Sequence, residues 1–139
     1  MRPVGGPEAL AGLVKSLGRR ELEESPVVVA LGGYVGLFFQ FVRAERGVVE
    51  RAAPRTLPIS VDGERFIFTA NRDFPWHALQ PLSHGPGVAR AAVRALEISG
   101  VGEGVVFLPL DAKFHQPYLD AGFVFSKWAR EAVILEKQL

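Results

Sequence analysis

The stretch that decides the fold is Leu79-Gln80-Pro81-Leu82-Ser83-His84-Gly85-Pro86-Gly87-Val88-Ala89. Its first residues end a predicted strand at 76–80, and residues 88–98 show the three- and four-residue apolar spacing of an amphipathic helix. The first N–H groups of a helix have no partner within it, and the helix dipole makes this end positive. Because glycine lets a ligand approach the backbone, the loop is a candidate anion site. A strand–helix turn without a ligand is the alternative.

A second segment, residues 111–123, follows a strand predicted at 105–108. Asp111 is a plausible N-cap for a short helix that ends near Leu119. Tyr118 lies on this helix, four residues before Gly122-Phe123. A phenol is able to donate a proton to a basic leaving group, which makes Tyr118 a candidate general acid. A half-buried core tyrosine is the alternative interpretation.

The remaining chain predicts one domain over residues 1–139. The expected elements are a helix that opens at Pro7 and runs to Leu17, a buried β-branched strand at 27–31, a Gly32-Gly33 hairpin turn to a partner strand at 34–42, an irregular loop of unassigned role at 43–60, a strand at 65–70, and a closing hairpin of 123–128 with 132–135. This order predicts an α/β (α+β) fold. Its sheet is expected to be mixed, mostly antiparallel and twisted, with helices on both faces.

Composition narrows the class of protein. The 139 residues are 48% hydrophobic and 22% charged, as in a globular domain with a full core. The net charge is +1 and no basic arm is present, so we expect no nucleic-acid partner. No apolar run reaches the ~18 residues of a membrane span, and the first residues lack the apolar run of a signal peptide. We therefore expect a cytoplasmic protein without a membrane partner.

Metal and thiol chemistry are not expected from this sequence. It contains no cysteine, which excludes disulfides, thiolate ligands and a thiol nucleophile. Its three histidines lack the spacing of metal ligands, so we predict no metal cofactor.

Taken together and in this order, the two segments resemble the GNAT superfamily of acyl-CoA-dependent N-acyltransferases. The family's loop reads Val-x-Pro-x-x-[Arg/Gln]-Gly-x-Gly-[Ile/Val]-[Gly/Ala], and residues 79–89 follow this pattern with His84 at the Arg/Gln position. The family's second signature places an Asn seven residues before a Tyr and Gly-Phe after it. Asp111 stands at the Asn position, and Tyr118 and Gly122-Phe123 match. The resemblance covers about residues 26–139, without a first strand, so it implies a shortened N-terminal region.

The resemblance implies acyl transfer from acyl-CoA to an amine by direct attack, with acetyl as the expected acyl group and the acceptor amine unidentified. The strands at 76–80 and 105–108 would separate, and the pantetheine arm would lie between them. The implied cofactor-binding residues are Leu79, His84, Gly85, Gly87, Val88, Ala89, Asp111 and Tyr118. Tyr118 would protonate the departing CoA thiolate.

The general base has two leading candidates, and Glu64 carries less weight. Asp73 falls where some family members carry an acidic base, and His77 has an imidazole that titrates near neutral pH. A turn cap for Asp73 and a half-exposed strand position for His77 are the structural alternatives.

An alternative function stays open: a non-catalytic module of the same fold that binds CoA or a metabolite. Departures from the family pattern at His84, Pro86 and Asp111 favour it, whereas Tyr118 favours the enzyme. The cluster Phe38-Phe39-Phe41 presents one face of a strand as a candidate homodimer surface.

Overall fold

A six-stranded mixed β-sheet forms the centre of the computed structural model, which describes residues 6–37, 40–52, 56–70, 76–128 and 132–139. The helices are a 3₁₀ helix at Gly6–Leu13, α1 at Arg19–Glu23, α2 at Pro26–Ala30, α3 at Arg46–Ala52, α4 at Val88–Ser99, a 3₁₀ turn at Ala112–Phe114, and α5 at Gln116–Asp120. The strands are β1 at Tyr34–Leu37, β2 at Gln40–Arg43, β3 at Thr56–Val61, β4 at Glu64–Thr69, β5 at Trp76–Pro81, β6 at Glu103–Pro109, β7 at Val124–Trp128, and β8 at Ala132–Gln138.

The strand order of the large sheet is β3-β4-β5-β6-β8-β7. Every neighbouring pair is antiparallel except β5 and β6, which run parallel. Parallel neighbours need a long crossover, and α4 provides it. β1 and β2 form a separate two-stranded antiparallel sheet. The predicted mixed, mostly antiparallel sheet with helices is therefore confirmed.

Alternating side chains give the sheet two apolar faces. On one face Phe66, Phe68 and Val106 pack with α4, α5 and the first 3₁₀ helix; we call this the α4 face. On the opposite face Ile67 packs with residues of α1, α2, α3 and β1, while Phe107 contacts Phe41 of β2 at 5.9 Å between ring centroids. This second face is called the hairpin face. Helices thus cover both faces, as predicted.

The helix α4 agrees with the prediction for 88–98 to within one residue. Its N-cap is Gly87, and Gly100 ends it in the left-handed conformation, with φ of 76°. Small buried residues allow this helix to approach the sheet closely. At Gly104 of β6 an added Cβ would overlap the side chain of Leu96, so the helix–sheet contact requires glycine there.

The predicted strand at 27–31 is wrong, because this segment forms α2. The Ser25 side chain accepts a hydrogen bond from Val28 N–H (3.2 Å), and Pro26 occupies the first turn, where proline is tolerated. Tertiary packing of Val27 and Val28 outweighs the β-propensity of the valines. Gly32 and Gly33 do turn the chain, with φ of 78° and 90°. They connect α2 to β1, and the predicted strand at 34–42 is two strands.

The predicted irregular loop at 43–60 is also wrong, because it contains α3 and most of β3. Arg46 and Glu50 form an exposed ion pair (2.9 Å) one helical turn apart, while Val49 is buried. Pro58 is compatible with β3 because β3 is an edge strand. The Pro58 carbonyl accepts a hydrogen bond from Lys15 N–H at 2.9 Å.

Two further predictions need adjustment at their ends. The helix expected from Pro7 to Leu17 is the 3₁₀ helix Gly6–Leu13, and Val14 pairs with Ile59 in an isolated bridge. Asp111 does act as an N-cap, but the helix expected after it divides into the 3₁₀ turn and α5. The closing hairpin is formed by β7 and β8, with a bulge between Phe125 and Lys127. Phe38 and Phe39 of the expected dimer surface lie outside the described residues, and Phe41 packs inward on Phe107.

Candidate functional site

The candidate site lies where β5 and β6 stop pairing with each other. Their register runs from Trp76 opposite Glu103 to Leu79 opposite Val106. Beyond this point β5 continues to pair with β4, and β6 continues to pair with β8 up to Pro109. A gap therefore opens between the carboxyl ends of the parallel strands. Ligands of open α/β sheets commonly bind at such a position.

Gln80 occupies this gap with a fully buried side chain. Its Oε1 accepts a hydrogen bond from Gly36 N–H of β1 at 2.7 Å. Its Nε2 donates to the carbonyls of Pro81 (2.9 Å) and Phe107 (3.3 Å). The carboxamide thus binds backbone groups of β1, β5 and β6 at the point where β5 and β6 stop pairing.

The glycine loop that follows β5 is anchored at its beginning. Leu82 N–H donates to the Arg65 carbonyl (2.9 Å), and the Ser25 hydroxyl donates to the Leu82 carbonyl (2.7 Å). The Ser83 hydroxyl accepts a hydrogen bond from Arg65 N–H at 2.9 Å. These contacts connect the loop to β4 and to the start of α2, so the position of the residues just before the two glycines is fixed.

The backbone N–H groups at the start of α4 are only partly used. Val88 N–H donates to the Gly85 carbonyl (3.2 Å), and Ala91 N–H donates to the Gly87 carbonyl (3.1 Å). Within the described residues the N–H groups of Gly85, Gly87 and Ala89 have no backbone acceptor. Of the four amides expected to bind an anion, those of Gly85 and Gly87 are accessible. The Ala89 amide has no backbone acceptor but belongs to a residue that is only 2% exposed, and Val88 is engaged. Both glycines are accessible, and a Cβ added at Gly85 would meet open space.

A carboxylate also lies at this end of α4. An added Cβ at Gly87 would be 3.9 Å from Glu64 Oε1. Glu64 has no ion-pair partner among the described residues. A negative charge here is favourable to the helix dipole, but it repels an incoming anion.

His84 and Asp111 have different environments. The exposed His84 ring contacts the Phe114 ring at 4.7 Å between centroids. Lys113 Nζ lies over the Phe114 ring, 5.3 Å from its centroid. An imidazole and an ammonium are thus close to the glycine loop. Asp111 Oδ1 accepts a hydrogen bond from Lys113 N–H (3.0 Å), so its carboxylate caps its own turn.

Tyr118 is buried, with 1% of its surface exposed, within the core of the α4 face. Its ring contacts Phe123 edge-on at 5.5 Å, and its hydroxyl has no hydrogen-bond partner in the described part of the chain. Burial and, second, the charge of Glu64 raise the pKa of Tyr118 far above its usual range. The hydroxyl is neutral and available as a donor, but it is covered by protein.

His77 lies apart from these residues. Its Nδ1 is 2.8 Å from Ser99 Oγ, which itself donates to the Leu96 carbonyl at 2.7 Å. The histidine is therefore a donor at Nδ1, and it is held at the carboxyl end of α4. The glycine loop is at the other end of this helix, about 18 Å away for twelve residues. Burial lowers the pKa of His77. Asp73, the other candidate base, lies outside the described residues.

The structure therefore brings together Leu79, the glycine loop, His84 and the turn after Asp111. Sequence reasoning missed Gln80 and gave little weight to Glu64. The available sequence signal was a single polar residue in the apolar run Ala78-Leu79-Gln80-Pro81-Leu82, because a polar side chain in a buried strand needs partners.

A cavity of about 410 Å³ lies elsewhere, between α1, α2 and the β1–β2 hairpin. Its carboxylates, Glu23 and Glu45, face Arg19 and Arg43 at 2.9 and 3.7 Å, so neither is unpaired. It offers no evident charge for an acceptor amine.

Within the described ranges, no group of three or more His, Cys, Asp or Glu residues could hold a metal ion. No helix of the described chain has both the length and the apolar character needed to cross a bilayer. Comparison of the chain with protein-family models, curated proteins and solved structures finds no match.

Proposed function

We propose that the chain is an acyl-CoA-dependent N-acyltransferase that transfers an acyl group, with acetyl expected, to an amine. One observation carries this proposal. The parallel strands β5 and β6 stop pairing after Leu79 and Val106, and the glycine loop begins beside the gap. The GNAT resemblance requires separation of these two strands, so the register supports a GNAT-like fold.

The phosphates of CoA would bind at the glycine loop. The N–H groups of Gly85, Gly87 and Ala89 are free of backbone acceptors, and the positive end of a twelve-residue helix lies behind them. Lys113 and His84 supply a cation and a hydrogen-bonding imidazole nearby. The pantetheine arm would then follow the gap that begins after Leu79, the last residue of β5 that pairs with β6.

The chemistry requires no covalent enzyme intermediate. The amine nitrogen forms a bond to the thioester carbon as the carbon–sulfur bond breaks, and sulfur leaves with the electron pair. A base takes one proton from the amine, for which Asp73 and His77 are the candidates. The thiolate takes up a proton, for which Tyr118 is the candidate. Since a thiol has a pKa of about 8.5, this proton assists the reaction without being decisive.

A non-catalytic CoA-binding module is the second candidate, and the burial of Tyr118 favours it. A hydroxyl covered by protein reaches a thiolate only if α5 or its neighbours shift. The loop and the gap serve this function equally well, so binding and turnover must be measured separately.

Calorimetry with acetyl-CoA tests binding. We expect a dissociation constant in the micromolar range, about −8 kcal/mol. Gly85→Leu should abolish binding without unfolding the protein, because its side chain enters open space where a phosphate would lie. Gly102→Leu is the matched control, since Gly102 is also open and lies at the start of β6. No heat from the wild-type protein at millimolar acetyl-CoA would exclude both functions.

Thiol release from acetyl-CoA tests turnover. A panel of primary amines is incubated with protein, free CoA is quantified, and the acylated amine is identified by mass spectrometry. Amine-dependent release supports the acyltransferase. Tight binding of acetyl-CoA with no release above the amine-free background supports the binding module instead.

A further inference from the structure

Gln80 has an unusual position for a polar side chain. It lies inside the sheet, fully buried, at the first residue of β5 that no longer pairs with β6. Its carboxamide uses one acceptor and both directions of its NH₂ group, with partners in three strands. A buried residue with a complete set of partners would ordinarily be classed as structural.

The partners of Gln80 suggest more than a structural role. The Phe107 and Pro81 carbonyls line the two sides of the gap, and Gly36 N–H closes it from the hairpin face. An amide-bearing chain that entered the gap would need these same donors and acceptors. The side chain of Gln80 is itself a primary amide, so it offers the gap the same hydrogen-bonding groups as a secondary amide of a ligand.

We propose that the Gln80 carboxamide occupies the position of a ligand amide in the unliganded protein, and that an amide-bearing arm of the pantetheine type replaces it. This inference rests on the proposed function. Gln80 is then the residue that sets how strongly the chain prefers CoA over the nucleotide part of CoA alone. In the wild-type protein the arm exchanges one set of amide hydrogen bonds for another, so it adds little affinity.

The contact that yields most easily is the one to Phe107. At 3.3 Å it is the longest of the three hydrogen bonds, and it alone spans from β5 to β6. Release of this bond opens the gap first, and the bonds of Gly36 and Pro81 then pass from the Gln80 carboxamide to the arm. We therefore expect the arm to enter between Gln80 and Phe107.

The affinity ratio of CoA to adenosine 3′,5′-diphosphate tests this directly, because only CoA carries the arm. We expect the ratio to rise about fivefold in Gln80→Ala, the order of one net hydrogen bond. Gln116→Ala is the control; this exposed glutamine on α5 bonds only to Asp120 among the described residues, and the ratio should not change. A ratio that is unchanged or lower in Gln80→Ala overturns the inference.

A measurement on the wild-type protein avoids dependence on the folding of Gln80→Ala. In ¹⁵N–¹H spectra, CoA should shift the side-chain NH₂ signals of Gln80 and the amide of Gly36, whereas adenosine 3′,5′-diphosphate should leave both in place. If CoA binds without moving these signals, the inference fails and the proposed function stands. If neither ligand binds, the proposed function fails and this inference with it.

Discussion

Replacement of Tyr118 by phenylalanine is the most informative single change that the structure suggests. The substitution removes only the hydroxyl, which is buried without a hydrogen-bond partner in the described residues. The ring contact to Phe123 at 5.5 Å is retained. Burial of an unsatisfied hydroxyl costs about 1–3 kcal/mol. Tyr118→Phe should therefore raise the free energy of unfolding by about 1 kcal/mol. For a chain of this size, this corresponds to a rise of about 3 °C in the midpoint of thermal unfolding.

The same change should alter the dependence of stability on pH. Burial and the charge of Glu64 raise the pKa of Tyr118, so the folded protein keeps the hydroxyl protonated in alkaline solution. In the unfolded chain the phenol ionises near pH 10. Above that pH the unfolded state binds fewer protons, so the wild-type protein loses stability as pH rises. At pH 10.5 this adds about 0.8 kcal/mol to the advantage of the phenylalanine variant.

Urea unfolding followed by far-UV circular dichroism at pH 7 and pH 10.5 measures both effects. Tyr34→Phe is the control because Tyr34 is the only other tyrosine and is 40% exposed. We expect no more than about 0.5 kcal/mol of change in the control at either pH. A Tyr118→Phe variant that is less stable than wild type would refute the conclusion that the hydroxyl is buried without a hydrogen-bond partner in the described residues. An advantage that stays constant between the two pH values would refute the raised pKa.

Three further substitutions test the fold and the site. Gly104→Ala should lower the free energy of unfolding by about 1–3 kcal/mol because the added methyl overlaps a buried leucine of α4. The control Gly102→Ala adds its methyl in open space and should change this free energy little. Equal effects of the two variants in urea unfolding would contradict the close helix–sheet contact. The wild-type protein should lose stability between pH 7.5 and 5.5, because burial lowers the pKa of His77 and the unfolded chain takes up the proton first. His77→Asn should make this loss smaller by at most about 1 kcal/mol. An unchanged dependence of the free energy of unfolding on pH would count against this expectation. Glu64→Gln should tighten CoA binding about fivefold in calorimetry, because it removes a negative charge beside the first turn of α4. The control Glu97→Gln changes an exposed residue near the other end of α4 and should leave the affinity unchanged. Weaker binding in Glu64→Gln would show that the carboxylate assists the ligand.

Local signals in the sequence were sufficient for the second half of the molecule. The apolar stripe at 88–98 and the glycines that flank it predicted α4, and the short apolar run at 105–108 predicted the core of β6. The glycine loop was expected between strand and helix, and the structure has it there. Asp111 was expected to cap the next turn and does so. In each case the chemistry of the residue and the local backbone conformation agree, so no distant contact was needed for the prediction.

Long-range contacts decided the first half. Residues 27–31 have the composition of a strand, but Ser25 is held by the Leu82 carbonyl and caps a helix instead. Residues 43–60 look irregular because Arg46 and Glu50 are exposed on α3 and because Pro58 lies in the edge strand β3. Leu82 is 57 residues from Ser25, and Ile59 of β3 pairs with the distant Val14, so local propensity had no access to these contacts.

By itself, then, the sequence determined which segments are helix, glycine loop and buried strand around residues 76–128, because caps, spacing and backbone freedom act over a few residues. Only the tertiary structure decided that Tyr118 points into the core, that His77 lies at the far end of α4, and that Gln80 fills the gap between β5 and β6. The direction and partners of a side chain depend on what packs against it from elsewhere in the chain, and those neighbours exist only after the sheet and both of its faces have assembled.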